Sequence, residues 1–349
     1  MTDLLDVFDL RHGAARVAVV GVAKNAGKTT TLCALLDALD RAGSPPPGLL
    51  SVGVDGERHD AFSGAAKPAI QVHAGTICAT AEQAVGRSTA RLDLLEDTGI
   101  TTPMGRLFLA RVHLPGELLL AGVRHRADLH HLTARMHALG ASRILIDGAF
   151  DRLIAAEPTL TDGVLLATGA VAGSTPQEVA RCTRDLVDRM RLPAATPALV
   201  ARLPRDPEHR ILVLHDEGTT PLEAETLLRP LPQLAHLLRQ HRPDAIIVPG
   251  ALTPRGADHL LAAGLRHTPL VLPDATHALL RPGDLRRLSR RGIELTVQRT
   301  IRVLGLSLNP VAPGGVHLES TPLAHALQEA LPDLPILDVR TGLHLPPTA

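Results

Sequence analysis

The chain has no tryptophan, no tyrosine and only four phenylalanines among its 349 residues. Its core must therefore be packed by Leu, Val, Ile and Ala, and it lacks the aromatic platforms on which single-stranded nucleic acid stacks. Cysteine is nearly as scarce. The three well-separated thiols, Cys33, Cys78 and Cys182, make neither a disulfide framework nor a metal knuckle, and they point to a reducing, cytoplasmic setting. Charge of one sign is not in excess either. With 36 basic and 36 acidic residues there is no electrostatic case for nucleic acid or an anionic membrane surface. No apolar run approaches the roughly 18 residues of a membrane span. The first ten residues, MTDLLDVFDL, are acidic and lack the basic and apolar regions of a leader, so neither span nor leader is expected. The 18 histidines are scattered. Their densest group, His125, His130, His131 and His137, falls on an expected helix without a carboxylate at ligand spacing, and reads as a solvated face rather than a metal site.

Lysine and asparagine are also rare, and where they occur is informative. Two of the three lysines, Lys24 and Lys28, and one of the two asparagines, Asn25, share a single ten-residue stretch, GVAKNAGKTT at residues 21–30. A compact ammonium on a flexible stem fits a phosphate cradle as a point charge, which a planar guanidinium does not. Residues 16–20, RVAVV, form a β-branched run suited to a buried parallel strand, and Gly21 opens a loop after it. From Thr29 the apolar residues recur at helical spacing up to Gly43, a good residue for ending a helix. Strand, glycine-rich loop and helix start together predict backbone N–H groups and a positive helix end around an anion. The stretch reads as a P-loop in which Gly21, Val22, Ala23, Lys24, Asn25, Ala26, Gly27, Lys28, Thr29 and Thr30 bind phosphates. Lys28 reaches the β- and γ-phosphates and the Thr29 hydroxyl binds Mg²⁺. Gly21 and Gly27 enclose five residues where four are usual.

The length favours two lobes. Apolar runs and helical patterns alternate along the chain, which predicts an α/β fold with a mostly parallel sheet and a second, smaller α/β lobe. The expected division is a P-loop nucleotide-binding domain at 1–194, a C-terminal α/β domain at 195–340 and a disordered tail at 341–349. Strands are expected at 49–54, 69–73, 107–113 and 117–121, the last two as a hairpin. Further strands are expected at 143–147 and 163–167, with helices at 128–139 and 176–190. Beyond the boundary, strands are expected near 211, 245–248, near 270, near 293, at 301–306 and near 336.

Two acids complete the expected site. Asp147 ends the apolar run ILI at 144–146, where ligands collect in open α/β sheets, and so suits the Walker B role of holding Mg²⁺. Asp55 ends another strand and is followed by Gly56 and Glu57; it is placed to bind Mg²⁺ or to orient an attacking water, although a simple Asp-Gly turn would look the same. Lys24, inside the loop, is a candidate for leaning over the phosphates. Arg152 is a candidate nucleotide contact, and Lys67 reads as structural or as part of a partner surface.

These motifs carry a family resemblance. The five-residue spacing, the helix and the acid-tipped strands resemble the dethiobiotin synthetase-like branch of P-loop proteins, and KNAGKTT resembles the molybdopterin-guanine dinucleotide accessory proteins. A closer similarity runs through LSVGVDGERHD, KPAIQVHAGTICATA, TGITTPMG and ILIDGAFDR, in that order. Together these resemble the small P-loop subunit of the lysine 5,6-aminomutase reactivase, densely over 16–180 and thinly beyond 195, with GLSLNPVAP at 305–313 similar to its C-terminal part. The resemblance implies ATP-driven maintenance of an aminomutase carrying adenosylcobalamin and pyridoxal phosphate, alongside a larger MutS-like ATPase. Those two cofactors are expected on the partner: the chain has no D-x-H-x-x-G motif, its nearest echo being Asp274 to His277, and no lysine beyond Lys67.

In this reading ATP and Mg²⁺ are the ligands, and Lys28, Lys24 and Asp55 act on the triphosphate. The turn at 55–60 and the loop at 98–105 are the segments expected to switch on loss of the γ-phosphate. ATP is preferred to GTP because no N/T-K-x-D tetrapeptide is present. Two other readings remain. A dethiobiotin synthetase-like biosynthetic enzyme would need a second basic group beside the γ-phosphate, for which Arg106, Arg111 and Arg124 are available. A nucleotide-binding accessory protein without turnover would need none.

Overall fold

The computed structural model describes residues 3–52, 70–148, 153–202, 210–216 and 218–348. The strands are β1 (Arg16–Gly21), β2 (Gly48–Ser51), β3 (Ile70–Val72), β4 (Ile77–Ala81), β5 (Arg91–Thr102), β6 (Gly105–Leu114), β7 (Gly116–Leu118), β8 (Ile144–Asp147) and β9 (Gly163–Gly169). They continue with β10 (Leu212–His215), β11 (Gly218–Pro221), β12 (Ala245–Ile247), β13 (Leu270–Asp274), β14 (Leu295–Arg299), β15 (Val303–Asn309), β16 (Ile336–Leu337) and β17 (His344–Leu345). The helices are α1 (Leu4–Val7), α2 (Lys28–Arg41), α3 (Glu82–Val85), α4 (Arg126–Ala138), α5 (Pro176–Met190), α6 (Pro197–Ala201), α7 (Pro232–Gln240), α8 (Pro254–Ala262), α9 (Asp284–Ser289) and α10 (Ser320–Ala330).

Two compact units result: Met1–Arg184 with Arg302–Ala349, and Asp185–Ile301. This differs from the expected division at 194/195. Residues 302–340 do not continue the second lobe, because β15 returns to lie parallel beside β9 in the sheet of the first unit. Nor are residues 341–348 a free tail. β17 pairs antiparallel with β16, and the Thr348 N–H donates to Pro332 O at 2.7 Å. The reason is local: His344 and Leu345 extend a strand after the turn at Gly342, which takes φ +76°.

Among the described residues the first unit's main sheet has ten strands in the order β17-β16-β15-β9-β1-β8-β2-β4-β6-β5. The pairings from β16 across to β4 are all parallel, and β17, β6 and β5 add antiparallel edges. Val17, Ala18, Val19 and Val20 are buried completely, as the uninterrupted apolar run of a parallel strand covered on both faces requires. On one face Val17, Val19, Leu49, Leu145 and Leu165 share a core with Leu32, Leu35, Leu36 and Leu39 of α2 and with Leu4, Leu5 and Phe8 beside α1. The α2 leucines recur at i, i+3, i+4 and i+7, one stripe of a helix. Each such buried leucine contributes about 2 kcal/mol.

The antiparallel edge departs from expectation. β6 and β7 do not form a hairpin with each other. β6 pairs with β4 and β5, and β7 pairs with β3. Residues 98–105, expected as a switching loop, are instead the end of β5, a turn at 103–104 and the start of β6. β5 escaped the sequence pattern because it is an edge strand: Leu94 and Leu95 are adjacent and both exposed, and three irregularities break its register against β6. The turn at 55–60 lies outside the described residues.

The second unit has its own sheet, β11-β10-β12-β13-β14, in which β12, β13 and β14 run parallel. Leu212, Leu214, Ala245, Ile247 and Val271 pack there with Ala195, and Leu199 of α6 joins them. No helix of the described residues is long and apolar enough to cross a membrane.

One carboxylate fixes the entry to the central strand. The N–H groups of Ala15 and Arg16 donate to Asp162 Oδ2 at 3.1 and 2.8 Å, and the Arg16 guanidinium donates to Oδ1 at 2.6 Å. Burial opposes ionisation of Asp162, but the hydrogen bonds from Arg16 and Ala15 and the Arg16 charge hold its pKa below the ordinary value. A depressed native pKa contributes stability above the unfolded-state value, about 3.9, and that contribution is lost as pH falls through the native value. Asp162→Asn should therefore cost about 1 kcal/mol at neutral pH, after allowance for solvent screening. In thermal melts the gap between wild type and variant should close in acid; a gap independent of pH would refute this role.

Candidate functional site

The turn between β1 and α2 leaves the sheet where the chain's course divides. From β1 the chain passes through α2 to β2 on one side, with β8 between them, and β9 flanks β1 on the other side. Such a division opens a crevice at the carboxyl ends of the strands. The turn is anchored at both ends. Val22 N–H donates to Ala167 O of β9 at 2.9 Å, and Thr31 N–H donates to Gly27 O at 2.9 Å.

Between these anchors the backbone takes unusual conformations. Asn25 has φ +64° and Gly27 has φ +102°. Gly27 is the N-cap of α2, and no side chain caps this 14-residue helix. The amides that open a helix have no acceptor within it, so those of Lys28, Thr29 and Thr30 lie at the positive end of the dipole. Val22 and Ala26 are buried, Ala23, Asn25, Gly27, Lys28, Thr29 and Thr30 are half-buried, and Lys24 is exposed. A Cβ at Gly21 would sit 2.9 Å from Ala23 O and 3.2 Å from Lys28 Cγ. The Lys28 stem thus folds back over the start of the turn instead of extending to solvent.

Asp147 is the last residue of β8 and is buried. It pairs in register with Val19 of β1 and Ser51 of β2. Residues in register on parallel strands project to the same face, here the face covered by α2. The Cys33 thiol of α2 is pushed up by burial, with the charges of Asp37 and Asp147 adding to the effect. The acid-tipped strand and the first turns of α2 therefore share one neighbourhood. Asp55, Gly56, Glu57, Lys67 and Arg152 lie outside the described residues.

The other basic residues weighed from sequence have employment elsewhere or lie at the surface. Arg106 donates to Asp97 at 3.0 Å and stacks over Phe108, Arg111 donates to Leu139 O at 3.1 Å, and Arg124 is exposed. His130 bonds Thr159 and His137 bonds Ala141 O. In the second unit Asp274 caps a short 3₁₀ turn. Burial opposes its ionisation, but His277 and Thr276 hold its pKa low. That is a structural account of the Asp274 to His277 segment.

Residues from the far end of the chain complete the surroundings of the turn. Asn309, the last residue of β15, donates from Nδ2 to Asn25 O at 3.4 Å. Two residues earlier Ser307 Oγ lies 2.6 Å from Thr31 Oγ1, a buried pair, and Thr31 Oγ1 also donates to Gly27 O at 3.0 Å. Sequence reasoning assigned neither residue a role. The available signal was that Asn309 is the only asparagine besides Asn25 and ends a strand, as Asp147 does.

Gly27 has no room for change. A Cβ there would lie 2.9 Å from Asn309 Cβ, in a backbone conformation that L side chains resist. Gly27→Ala should destabilise the protein by about 2 kcal/mol, and Asn309→Gly should recover the steric part of that loss. Chemical denaturation of the four proteins of this cycle tests it; additive effects would show that residues 27 and 309 do not press on each other.

No protein-family model, curated protein or solved structure matches the chain.

Proposed function

We propose that the turn at 21–30 binds the triphosphate of ATP with Mg²⁺, and that the chain uses this binding and its hydrolysis to reactivate an aminomutase dependent on adenosylcobalamin and pyridoxal phosphate. The observation that carries the nucleotide reading is the Lys28 stem lying back over Gly21 at the start of an uncapped 14-residue helix. That arrangement keeps the Lys28 stem beside the first helical amides and the positive end of a dipole, and an oligophosphate is a ligand that would use an ammonium carried there together with both.

The residues divide the work as follows. Backbone N–H groups of residues 21–30 cradle the phosphates, with Val22 fixed to β9 so that the rim of the cradle cannot slide. Lys28 neutralises the distal phosphates, and Lys24, exposed on the same turn, supplies a second positive charge. Thr29 and Asp147 offer the hard oxygen ligands that Mg²⁺ prefers, and Asp147 ends its strand on the face covered by α2. When bound, the metal would neutralise charge on the β- and γ-phosphates. Asp55 is assigned to positioning the attacking water.

Reactivation, as opposed to simple nucleotide binding, rests on the resemblance of the motifs at 16–180 to the reactivase subunit. The implied partners are the mutase, which would carry both cofactors, and a larger MutS-like ATPase. The engagement of Arg106 with Asp97 and of Arg111 with Leu139 gives no support to a second basic group for a carboxylate-phosphorylating enzyme.

Replacing Lys28 with Ala removes charge-assisted hydrogen bonds each worth about 1.5–3 kcal/mol. Calorimetric titration should then show ATP affinity falling by about 10- to 100-fold, with an unchanged thermal midpoint for the nucleotide-free protein. Unaltered affinity would remove the cradle from the account. For the client, affinity capture from the native host should recover mutase subunits or a MutS-like ATPase in an ATP-dependent manner. A small-carboxylate kinase activity without those partners would reject reactivation.

A further inference from the structure

Ser51 closes β2 with its side chain in the protein interior. The residue is 2% exposed, and among the described residues its Oγ has no hydrogen-bond partner. A hydroxyl stripped of water without a replacement partner is an unfavourable thing to bury. Leu49, two residues earlier on the same strand, faces the leucine stripe of α2, so packing at this end of β2 is already apolar and Ser51 interrupts it.

The register says what the hydroxyl faces. Ser51 lies directly beside Asp147, and Asp147 directly beside Val19. All three project from the sheet face covered by α2, at the carboxyl end of the strands where the turn at 21–30 begins. The orphan hydroxyl and the buried carboxylate are therefore neighbours at the crevice mouth. A carboxylate alone accepts; a hydroxyl both donates and accepts. The pair suits a ligand that presents water or oxygen around a positive centre, as a hydrated magnesium ion does, since Mg²⁺ keeps several of its waters when protein-bound.

We propose that Ser51 is a positioning residue of the Mg²⁺ site, its hydroxyl hydrogen-bonding the hydration shell of a metal held by Asp147. This deepens the triphosphate reading above and rests on it. Ser51 forms no part of the phosphate cradle, and its effect is confined to the metal-dependent part of nucleotide affinity. In the metal-free protein the hydroxyl is a liability; with metal it becomes a second point of attachment that orients the ion.

The test compares wild type with Ser51→Ala in three measurements on the full chain. Thermal melts without ligand should give Ser51→Ala a midpoint equal to or above that of wild type, because an unsatisfied hydroxyl has been removed. Calorimetric titration of ATP in EDTA should give equal affinities. Titration of ATP with Mg²⁺ should show the gain from metal reduced about tenfold in Ser51→Ala, and the spin-resonance spectrum of bound Mn²⁺ should show altered hydration.

An equal gain from Mg²⁺ in both proteins overturns the inference and leaves the triphosphate reading standing. So does an equal loss with and without metal, which would make Ser51 a phosphate contact or a structural residue. A lower melting point for ligand-free Ser51→Ala overturns it too, by showing that the hydroxyl already has a partner. If wild type binds no ATP under either condition, inference and reading fall together.

Discussion

A chain leaving a fully buried parallel strand must turn without losing its backbone hydrogen bonds, and in this protein that turn is gripped from the side. Val22 is held by Ala167 of β9, Asn25 by Asn309 of β15, and Thr31 by Ser307 of the same strand. The grip allows Asn25 and Gly27 to keep left-handed conformations that an unsupported loop would abandon. It also sets the aim of the first amides of α2, beside which the Lys28 stem folds over Gly21. Every chemical role assigned above depends on that aim, since a cradle that could relax would lose the convergence of its donors.

The return of the chain after residue 301 acquires a purpose in this light. β15 extends the parallel sheet beyond β9 and brings two polar side chains to the turn and the start of α2, 276 residues away in the case of Ser307 and Thr31. The insertion between, Asp185–Ile301, carries a sheet and core of its own. The first unit is thus closed by its own C-terminal part. On the opposite flank of β1, Asp147 and Ser51 stand side by side, so the crevice mouth has a backbone-amide side and an acid-hydroxyl side.

The turn was legible in the sequence because Lys24, Asn25 and Lys28 are of types that the rest of the chain nearly lacks. Gly21, Gly27 and Lys28 sit between a β-branched run and a leucine stripe, which periodicity marks as a strand and a helix with a turn between them. Asp147 was legible because three apolar residues deliver it to a strand end. The bounds of α5 and the positions of β8, β9 and β12 followed from periodicity in the same way. What sequence could not supply was adjacency. Nothing local marks Asn309, Ser307 or Ser51, whose meaning comes from strand order and register. β5 was hidden for the opposite reason: an exposed edge strand carries no apolar alternation to read. The return of β15 to the first unit was hidden because a strand's sequence does not name its neighbour.

Under the proposed function, the amides of this turn are the ones an oligophosphate occupies. Amide hydrogen exchange resolved across residues 21–31, measured with Mg²⁺ alone and with Mg²⁺ and ATP, tests it most directly. ATP should slow exchange at Lys28, Thr29 and Thr30, whose amides have no acceptor within α2, and in the turn before them. If ATP binds while those amides exchange as before and protection arises elsewhere, the cradle is not where the nucleotide sits and the account is contradicted.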